Sequence, residues 1–431
     1  MISALVRTEM PYRPYRPSGG VPQFGLRRCI RHRILGVRRV TKVPFFDLKR
    51  QFSPLREEIL NEIAALCDAQ AFILGAKVEQ FENAIASLCG GCHAVGVSSG
   101  TDAELLILMA LEIGPGDAVV TTPFTFFSTA GSIARLGAKP VFVDIDPETF
   151  NLSPEKLEIF FATQCTSDGK VVRTREGSRV RAVIPVHLFG LCCPMDEIEA
   201  ICARHSLPVI EDAAQAIGTD YPSSEGIKHA GGIGEFGYFS FYPTKNLGAF
   251  GDAGMAIARD DHIWNRMKVF RNHGMEPKYF HDFVGGNFRL DALQAAILLK
   301  KLPHVAAWSK RRWAIAQHYR NEFANFAPEL RLPDEPYVKQ LGDRGHTYHQ
   351  FVVRTVRRDE LREHLTDCGI GTEIYYPVSL NRQKCFASLD AGLFPESEAA
   401  AQQVLALPIF PELTDSEIEL VAGAVTAFFK K

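Results

Sequence analysis

Short apolar, β-rich runs alternate with helical patterns along most of this chain, and that alternation restricts the fold more than any other feature. The runs are Ala118–Thr121, Pro140–Asp144, Arg181–Val186, Leu207–Glu211, Gly237–Phe241 and Gly254–Ala258. Helical periodicity fills Thr101–Leu111, Phe127–Leu136, Ser153–Phe161 and Pro194–His205. Strands joined through helices lie parallel, and near-continuously apolar strands are buried on both faces. The expectation is an α/β domain with a mostly parallel central sheet covered by helices. In such sheets ligands bind at the carboxyl ends of the strands. Upstream, Pro54–Asp68 predicts an amphipathic helix with Leu55, Ile59, Leu60, Ile63 and Leu66 on one face. Downstream, Leu290–Phe326 predicts a long helical region broken at Pro303. Strand-like Thr347–Arg354, a helix near Asp359–Cys368, a strand Thr372–Tyr376 and a last helix from Asp415 then predict a smaller α+β C-terminal domain. The polar, Pro-bearing stretch Ala327–Arg344 reads as the linker, so the expected domains are 44–326 and 327–431.

The chain has 431 residues, 46% apolar and 23% charged, as a soluble globular protein does. Its longest uninterrupted apolar run, Leu105–Leu111, is far short of a membrane span. Residues 1–43 differ from the rest. They hold nine Arg and one Lys against Glu9, a formal charge of +9, which leaves −11 on residues 44–431. An Arg-rich, acid-poor segment suits a targeting peptide or an arm for nucleic acid or anionic lipid. Its four prolines and lack of helical period favour a disordered extension, and no nucleic-acid or membrane partner is expected. Ten scattered cysteines without a secretory signal point to reduced thiols and a cytoplasmic location.

The chemistry converges on predicted strand ends. Lys245 follows the aromatic strand and proline of Phe239-Ser240-Phe241-Tyr242-Pro243 at a glycine-rich bend. Desolvation there disfavours the ammonium and leaves a nucleophilic amine of the kind that forms Schiff bases. A second strand, Val209-Ile210-Glu211, delivers Asp212 to its end. A carboxylate there can hold a proton on the ring nitrogen of pyridoxal 5'-phosphate; a bland alternative is a helix N-cap. Gln215 lies within reach of a ring hydroxyl. Ser98-Ser99-Gly100-Thr101 opens a helix, where free N–H groups bind phosphate, with Gly100 allowing close approach. The Thr101…Glu104 spacing also fits a capping box. Ser240 can add a hydroxyl to the same phosphate. Phe126, in Pro123-Phe124-Thr125-Phe126-Phe127, can stack on a flat ring or simply fill the core.

Two further motifs carry less. Cys89-Gly90-Gly91-Cys92-His93 fits a haem-attachment pattern but reads better as a loop before the Val95–Val97 strand. Gly232-Ile233-Gly234-Glu235-Phe236-Gly237 has dinucleotide-fingerprint spacing, yet it precedes a strand instead of following one.

From Val43 to the C-terminus the chain resembles the DegT/DnrJ/EryC1/StrS family of pyridoxal-phosphate-dependent sugar aminotransferases. The resemblance runs through Val43-Pro44-Phe45-Phe46-Asp47-Leu48, Phe72-Ile73-Leu74-Gly75, Ser99-Gly100-Thr101-Asp102-Ala103, Gly137–Asp144, Pro185–Gly190, Ile210–Ala216 and the Lys245 segment. It continues through Arg271-Asn272-His273-Gly274, Gly286–Asp291 and Ala406–Pro411. It implies fold type I, the aspartate-aminotransferase architecture, and a homodimer. Lys245 would form the Schiff base and shuttle protons, with Asp212 on the ring nitrogen and Phe126 on the ring face. Gly100, Thr101 and Ser240 would hold the phosphate, joined by Asn287 from the neighbouring subunit. His187, His273, Tyr375 and Tyr376 are candidates to face the substrate. The implied reaction moves an amino group from glutamate, leaving 2-oxoglutarate, to the keto carbon of a UDP- or dTDP-linked hexose. A 3-keto and a 4-keto sugar both stay open, with a lean to 3-keto.

This sequence departs from its relatives in three places. Tyr375-Tyr376-Pro377 stands where many carry His-Tyr-Pro, Glu104 stands for a common leucine, and Thr163–Arg181 is longer and more polar than usual. Two rival readings stand beside transamination. One is a sugar dehydratase on the same fold, which Lys245 opposes because such relatives carry histidine there. The other is a non-catalytic regulator.

Overall fold

The computed structural model describes residues 42–430 except 170, 390 and 391; the basic segment before Lys42 lies outside the described residues. In chain order the elements begin with α1 (Leu48–Ala69), α2 (Ala76–Leu88), β1 (His93–Val97), α3 (Gly100–Ala110), β2 (Asp117–Thr121), α4 (Ser128–Arg135) and β3 (Lys139–Phe142). They continue with α5 (Pro154–Gln164), β4 (Cys165–Ser167), β5 (Val172–Thr174), β6 (Arg179–Val183), α6 (Met195–Arg204), β7 (Ile210–Asp212), β8 (Asp220–Ser223) and β9 (Gly226–His229). Next are β10 (Phe236–Ser240), β11 (Gly254–Ala258), α7 (Asp261–Arg271), α8 (Ala292–Lys301), α9 (Val305–Phe323) and α10 (Val338–Leu341). The last are β12 (Phe351–Arg354), α11 (Arg358–Asp367), α12 (Pro395–Gln403), β13 (Val404–Leu407) and α13 (Asp415–Phe429).

The central sheet runs β1-β11-β10-β7 and continues through the parallel Val183–Val209 bridge into β6-β2-β3. Every strand in this series is parallel to the rest except β11, which is antiparallel to both β1 and β10. The exception has a local cause. No helix intervenes between β10 and β11; the chain turns back through the Lys245 bend, so Ser240 pairs with Gly254. A direct return of this kind must be antiparallel. The Thr163–Arg181 stretch adds the β4–β5 hairpin at one end of β6.

Helix α3 lies inside the fold. Leu105, Leu106, Ile107 and Leu108 are each at most 3% exposed, so this helix is buried on every side. Each such side chain contributes about 1.5–3 kcal/mol. Glu104 sits among them at 0% exposure.

A second core collects Tyr319 and Phe323 of α9, Phe351 and Val353 of β12, Leu361 of α11, Leu405 of β13, and Val421 and Val425 of α13. Val43 packs into it as well. Residues 327–344 include α10 and bury Leu330 and Leu341.

Two expectations change. Helix α1 begins before Pro54, at Leu48, where Asp47 accepts the Lys49 N–H at 3.0 Å. The predicted strand Thr372–Tyr376 shrinks to one bridge, Glu373–Ala406. Pro377 has no N–H to extend a ladder, and Tyr375 and Tyr376 turn to a cavity instead. The Cys89–His93 motif is a turn. Cys89 ends α2, the buried Cys92 thiol bonds the Cys89 carbonyl, and His93 stacks on Trp264 at 4.4 Å. Among the described residues no helix is long and apolar enough to cross a membrane.

Candidate active site

A cavity of about 700 Å³ opens at the carboxyl ends of the strands, where the sheet topology places it. Lys245 is on its wall. The bend that carries it is tight: the Lys245 N–H donates to the Tyr242 carbonyl at 2.8 Å, and the Ala249 N–H to that of Phe241 at 2.8 Å. A Cβ on Gly248 would lie 2.2 Å from the Pro243 carbonyl oxygen, so the bend needs glycine there. Asn246 pins the bend to a neighbouring segment by donating to the Thr347 carbonyl and accepting from His349. Lys245 shows part of its surface to the cavity while protein crowds its amine from the other sides. That desolvation pushes the ammonium down to about 8, against a smaller opposing pull from Asp212.

A second lysine shows why charge alone does not define the site. Burial also pushes Lys301 to about 8. Its ammonium donates to the Gly248 carbonyl at 2.5 Å, and it lines a different, shallower groove with Leu48 and Phe52. Only Lys245 shares a cavity with Asp212 and the start of α3.

Asp212 ends β7 and is 5% exposed. Its Oδ1 accepts the Ala214 N–H at 3.1 Å, and its Oδ2 accepts the Thr129 hydroxyl at 3.0 Å. No helix follows, so the bond to Ala214 is a local turn and the N-cap alternative falls away.

At the start of α3 the cap is Ser99, which accepts the Asp102 N–H at 3.1 Å; the Ser98 and Ser99 hydroxyls both donate to the Asp102 carboxylate. The expected Thr101…Glu104 box does not form, because Glu104 points into the core. The Gly100 and Thr101 N–H groups are not used by the cap and stand at the cavity wall. A Cβ on Gly100 would lie 2.7 Å from the Ser240 Cβ, so glycine is what lets β10 and α3 meet here. Phe126, 56% exposed, lies opposite and tilts against Tyr376 at 6.3 Å. Gln215 is already oriented: its oxygen accepts the Phe189 N–H at 2.7 Å and its amide donates to the Tyr376 hydroxyl at 3.0 Å.

A desolvated amine, a buried carboxylate, a helix start and an aromatic face thus surround one cavity. The model of the DegT/DnrJ/EryC1/StrS aminotransferase family matches residues 54–426. The chain belongs to this family.

Among relatives of this DegT/DnrJ/EryC1/StrS member, the pleiotropic regulatory protein of Geobacillus stearothermophilus is 42% identical over 390 residues, covering 90% of this chain and 99% of the relative. The UDP-N-acetyl-3-dehydro-alpha-D-glucosamine 3-aminotransferase of Acidithiobacillus ferrooxidans is 40% identical over 385 residues, covering 89% and 97%. The crystal structure of Streptomyces venezuelae DesV with a ketimine intermediate superposes with a TM-score of 0.81 at 37% identity, covering 90% of this chain and 99% of that one. The fold is therefore the α/β type I architecture expected above.

The family resemblance also proposed residues that the structure places elsewhere. His187 is corrected as a substrate group. It is 0% exposed, and its Nε2–H donates to Glu211 at 2.8 Å while Nδ1 accepts the Cys193 N–H at 3.1 Å. The same Glu211 carboxylate accepts the Gly231, Ile233 and Gly234 N–H groups at 2.6–2.8 Å. The glycine-rich 232–237 motif thus wraps an internal carboxylate, which a sequence pattern cannot distinguish from a phosphate. His273 lines a separate open pocket with Met275, Tyr279 and His281. Asn287 is exposed and bridges Asn272, away from this cavity within one chain.

Sequence reading missed two groups here. Thr129 bonds Asp212 from the first turn of α4, a contact that needs the tertiary fold. His349 lines the cavity beside Lys245. Its Nδ1–H donates to Asn246 Oδ1 at 3.0 Å, and burial with the nearby lysine charge keeps the ring neutral.

Proposed function

We propose that this protein transfers an amino group from glutamate to the keto carbon of a nucleotide-linked hexose, working as a homodimer in the cytoplasm. It is a pyridoxal-phosphate-dependent sugar aminotransferase. The observation that carries the reading is the placement of Lys245 and Asp212 on one cavity with the open start of α3. These groups fit the cofactor. Asp212 has the donor contacts of a held carboxylate to face the ring nitrogen, and Phe126 offers a ring face. The Gly100 and Thr101 N–H groups and the Ser240 hydroxyl form an anion cradle at the helix start. When bound, pyridoxal 5'-phosphate supplies a carbonyl carbon that exchanges amines and a ring that absorbs an electron pair.

The remaining roles belong to the chain. Lys245, about half deprotonated near pH 8, would supply the amine that holds the cofactor and, once free, would carry the proton taken from the donor's Cα to the carbon that bore the cofactor's carbonyl. Asp212 keeps the ring nitrogen protonated. Gln215 and Tyr376 hold one another, and Gln215 would meet the ring's hydroxyl. Tyr375 and Tyr376 stand on the wall left for the sugar. His349, neutral, donates its Nδ1–H to Asn246 and lines the cavity without opposing the Lys245 charge through one of its own. We assign Asn287 and His273 to the partner's cavity, since neither lines the cavity of its own chain. The nine free cysteines among the described residues suit a reducing compartment.

The relative that acts on a 3-dehydro sugar supports a 3-keto substrate. A regulatory reading draws on the name of the Geobacillus relative. The complete lysine, carboxylate and helix-start set favours catalysis. The deciding experiment incubates purified protein with glutamate and a panel of UDP- and dTDP-linked 3-keto and 4-keto hexoses. Formation of an aminosugar with matching 2-oxoglutarate supports the proposal. No product from any sugar, with a colourless protein, would favour the regulator.

A further inference from the structure

Beside Asp212, reaching the cavity wall at Tyr238, lies a cluster of buried polar groups that the reaction above does not use. Glu104 projects from α3, Ser132 from α4 and Tyr238 from β10. Glu104 is 0% exposed, and both its oxygens, the Ser132 hydroxyl and the Tyr238 hydroxyl are buried without a hydrogen bond of normal geometry. Ser132, Tyr238 and Asp212 are the groups that act on Glu104, and no lysine or arginine is among them. Tyr238 in turn faces both carboxyls and Thr129.

A carboxylate buried without a cation costs several kcal/mol. Two neighbouring carboxyls do not both ionise readily. Asp212 has the Ala214 N–H and the Thr129 hydroxyl as donors, whereas neither Glu104 oxygen has one. Glu104 is left to keep its proton, and desolvation together with Asp212 pushes it well above the usual carboxylate range. A neutral carboxyl is a hydrogen-bond donor.

We propose that Glu104 is a permanently protonated positioning residue that donates to the Tyr238 oxygen, so that the Tyr238 O–H turns to Asp212. The inference rests on the assignment of Asp212 to the cofactor's ring nitrogen. It gives the Asp212 carboxylate a third donor and makes its hold on the ring proton depend on a group that never meets cofactor or substrate. A side chain that donates but cannot ionise replaces Glu104; one that cannot donate does not.

Two measurements test this. Infrared difference spectra of the cofactor-free protein against Glu104→Gln at pH 8 read the proton directly. A protonated-carboxyl band present in the parent and lost in E104Q is expected; absence of that band overturns the proposal whatever the cofactor does. The visible spectrum of the cofactor-loaded protein is then titrated with pH. E104Q should keep the parent midpoint, and Glu104→Leu should displace it by about half a pH unit or more. Equal displacement by both variants would mean that Glu104 acts as a charge, and no displacement by either would make it filler; each overturns the proposal. Should E104L not fold, Glu104→Met serves as the non-donating variant. If Asp212 did not face the ring nitrogen, Asp212→Asn would leave the visible midpoint of the parent unchanged, while the infrared result would stand.

Discussion

Lys245 shows how position converts an ordinary side chain into a reagent. Between pH 8 and its usual value of 10.5 the unfolded chain holds a proton on this amine that the folded chain lacks, so the group's contribution to stability rises with pH across that window. Below pH 8 the folded protein carries the full strain of a desolvated ammonium. The rate at which cofactor-free protein captures pyridoxal phosphate should therefore rise with a midpoint near 8 and then level off; a midpoint near 10.5 would contradict the buried setting. Gly100→Ala places a methyl against Ser240 and should weaken cofactor binding about tenfold, read by fluorescence titration with the melting temperature as control. Lys245, Asp212 and Gly100 were legible because an apolar strand pattern tells where a strand ends, and this fold puts its ligand there. Thr129 and His349 were not, because each reaches the site only through tertiary approach. His187 was misread for the same reason. Its partner, Glu211, lies 24 residues on, and nothing local marks the pair as sealed from solvent.

Elements were more legible than their connections. The alternation of periods located the helices around the sheet to within a few residues, yet the antiparallel β11 went unread. The sign was present, since no helical pattern separates Phe241 from Gly254. At the other end, α13 closes the second core with Ile418, Val421, Val425 and Phe428 on one face. Thr414 caps it, accepting the Glu417 N–H, while Glu417 returns to the Thr414 N–H and takes both Arg50 nitrogens at 2.7 and 2.8 Å. Thr414→Ala should lower stability by about 1 kcal/mol in urea denaturation at pH 7. Arg50 holds Glu417 down to about 2, below its usual 4.5. That stabilisation is complete above about pH 4.5 and is lost as the pH falls through about 2. Glu417→Gln should flatten this acid limb of the stability profile; an unchanged limb would mean that the ion pair contributes nothing.

At the scale of the whole molecule, the segment before Asn287 exposes Tyr279 at 77%, Phe280 at 67% and Val284 at 92%. An apolar patch of this kind suits an interface between copies, which is where Asn287 would cross to the partner's cavity. Co-expressing Lys245→Ala with Asn287→Ala should then yield mixed dimers with one intact site each. At random pairing about a quarter of wild-type activity returns, although each variant alone is nearly inactive. Activity no greater than the average of the two variants would place Asn287 within its own chain. All of this presupposes that Lys245, and no other amine, carries the cofactor. Borohydride reduction of the yellow protein followed by peptide mass mapping reads that directly. The pyridoxyl mass should sit on Lys245 alone, with the equally desolvated Lys301 unmodified; label on Lys301, or on no lysine, would contradict the account.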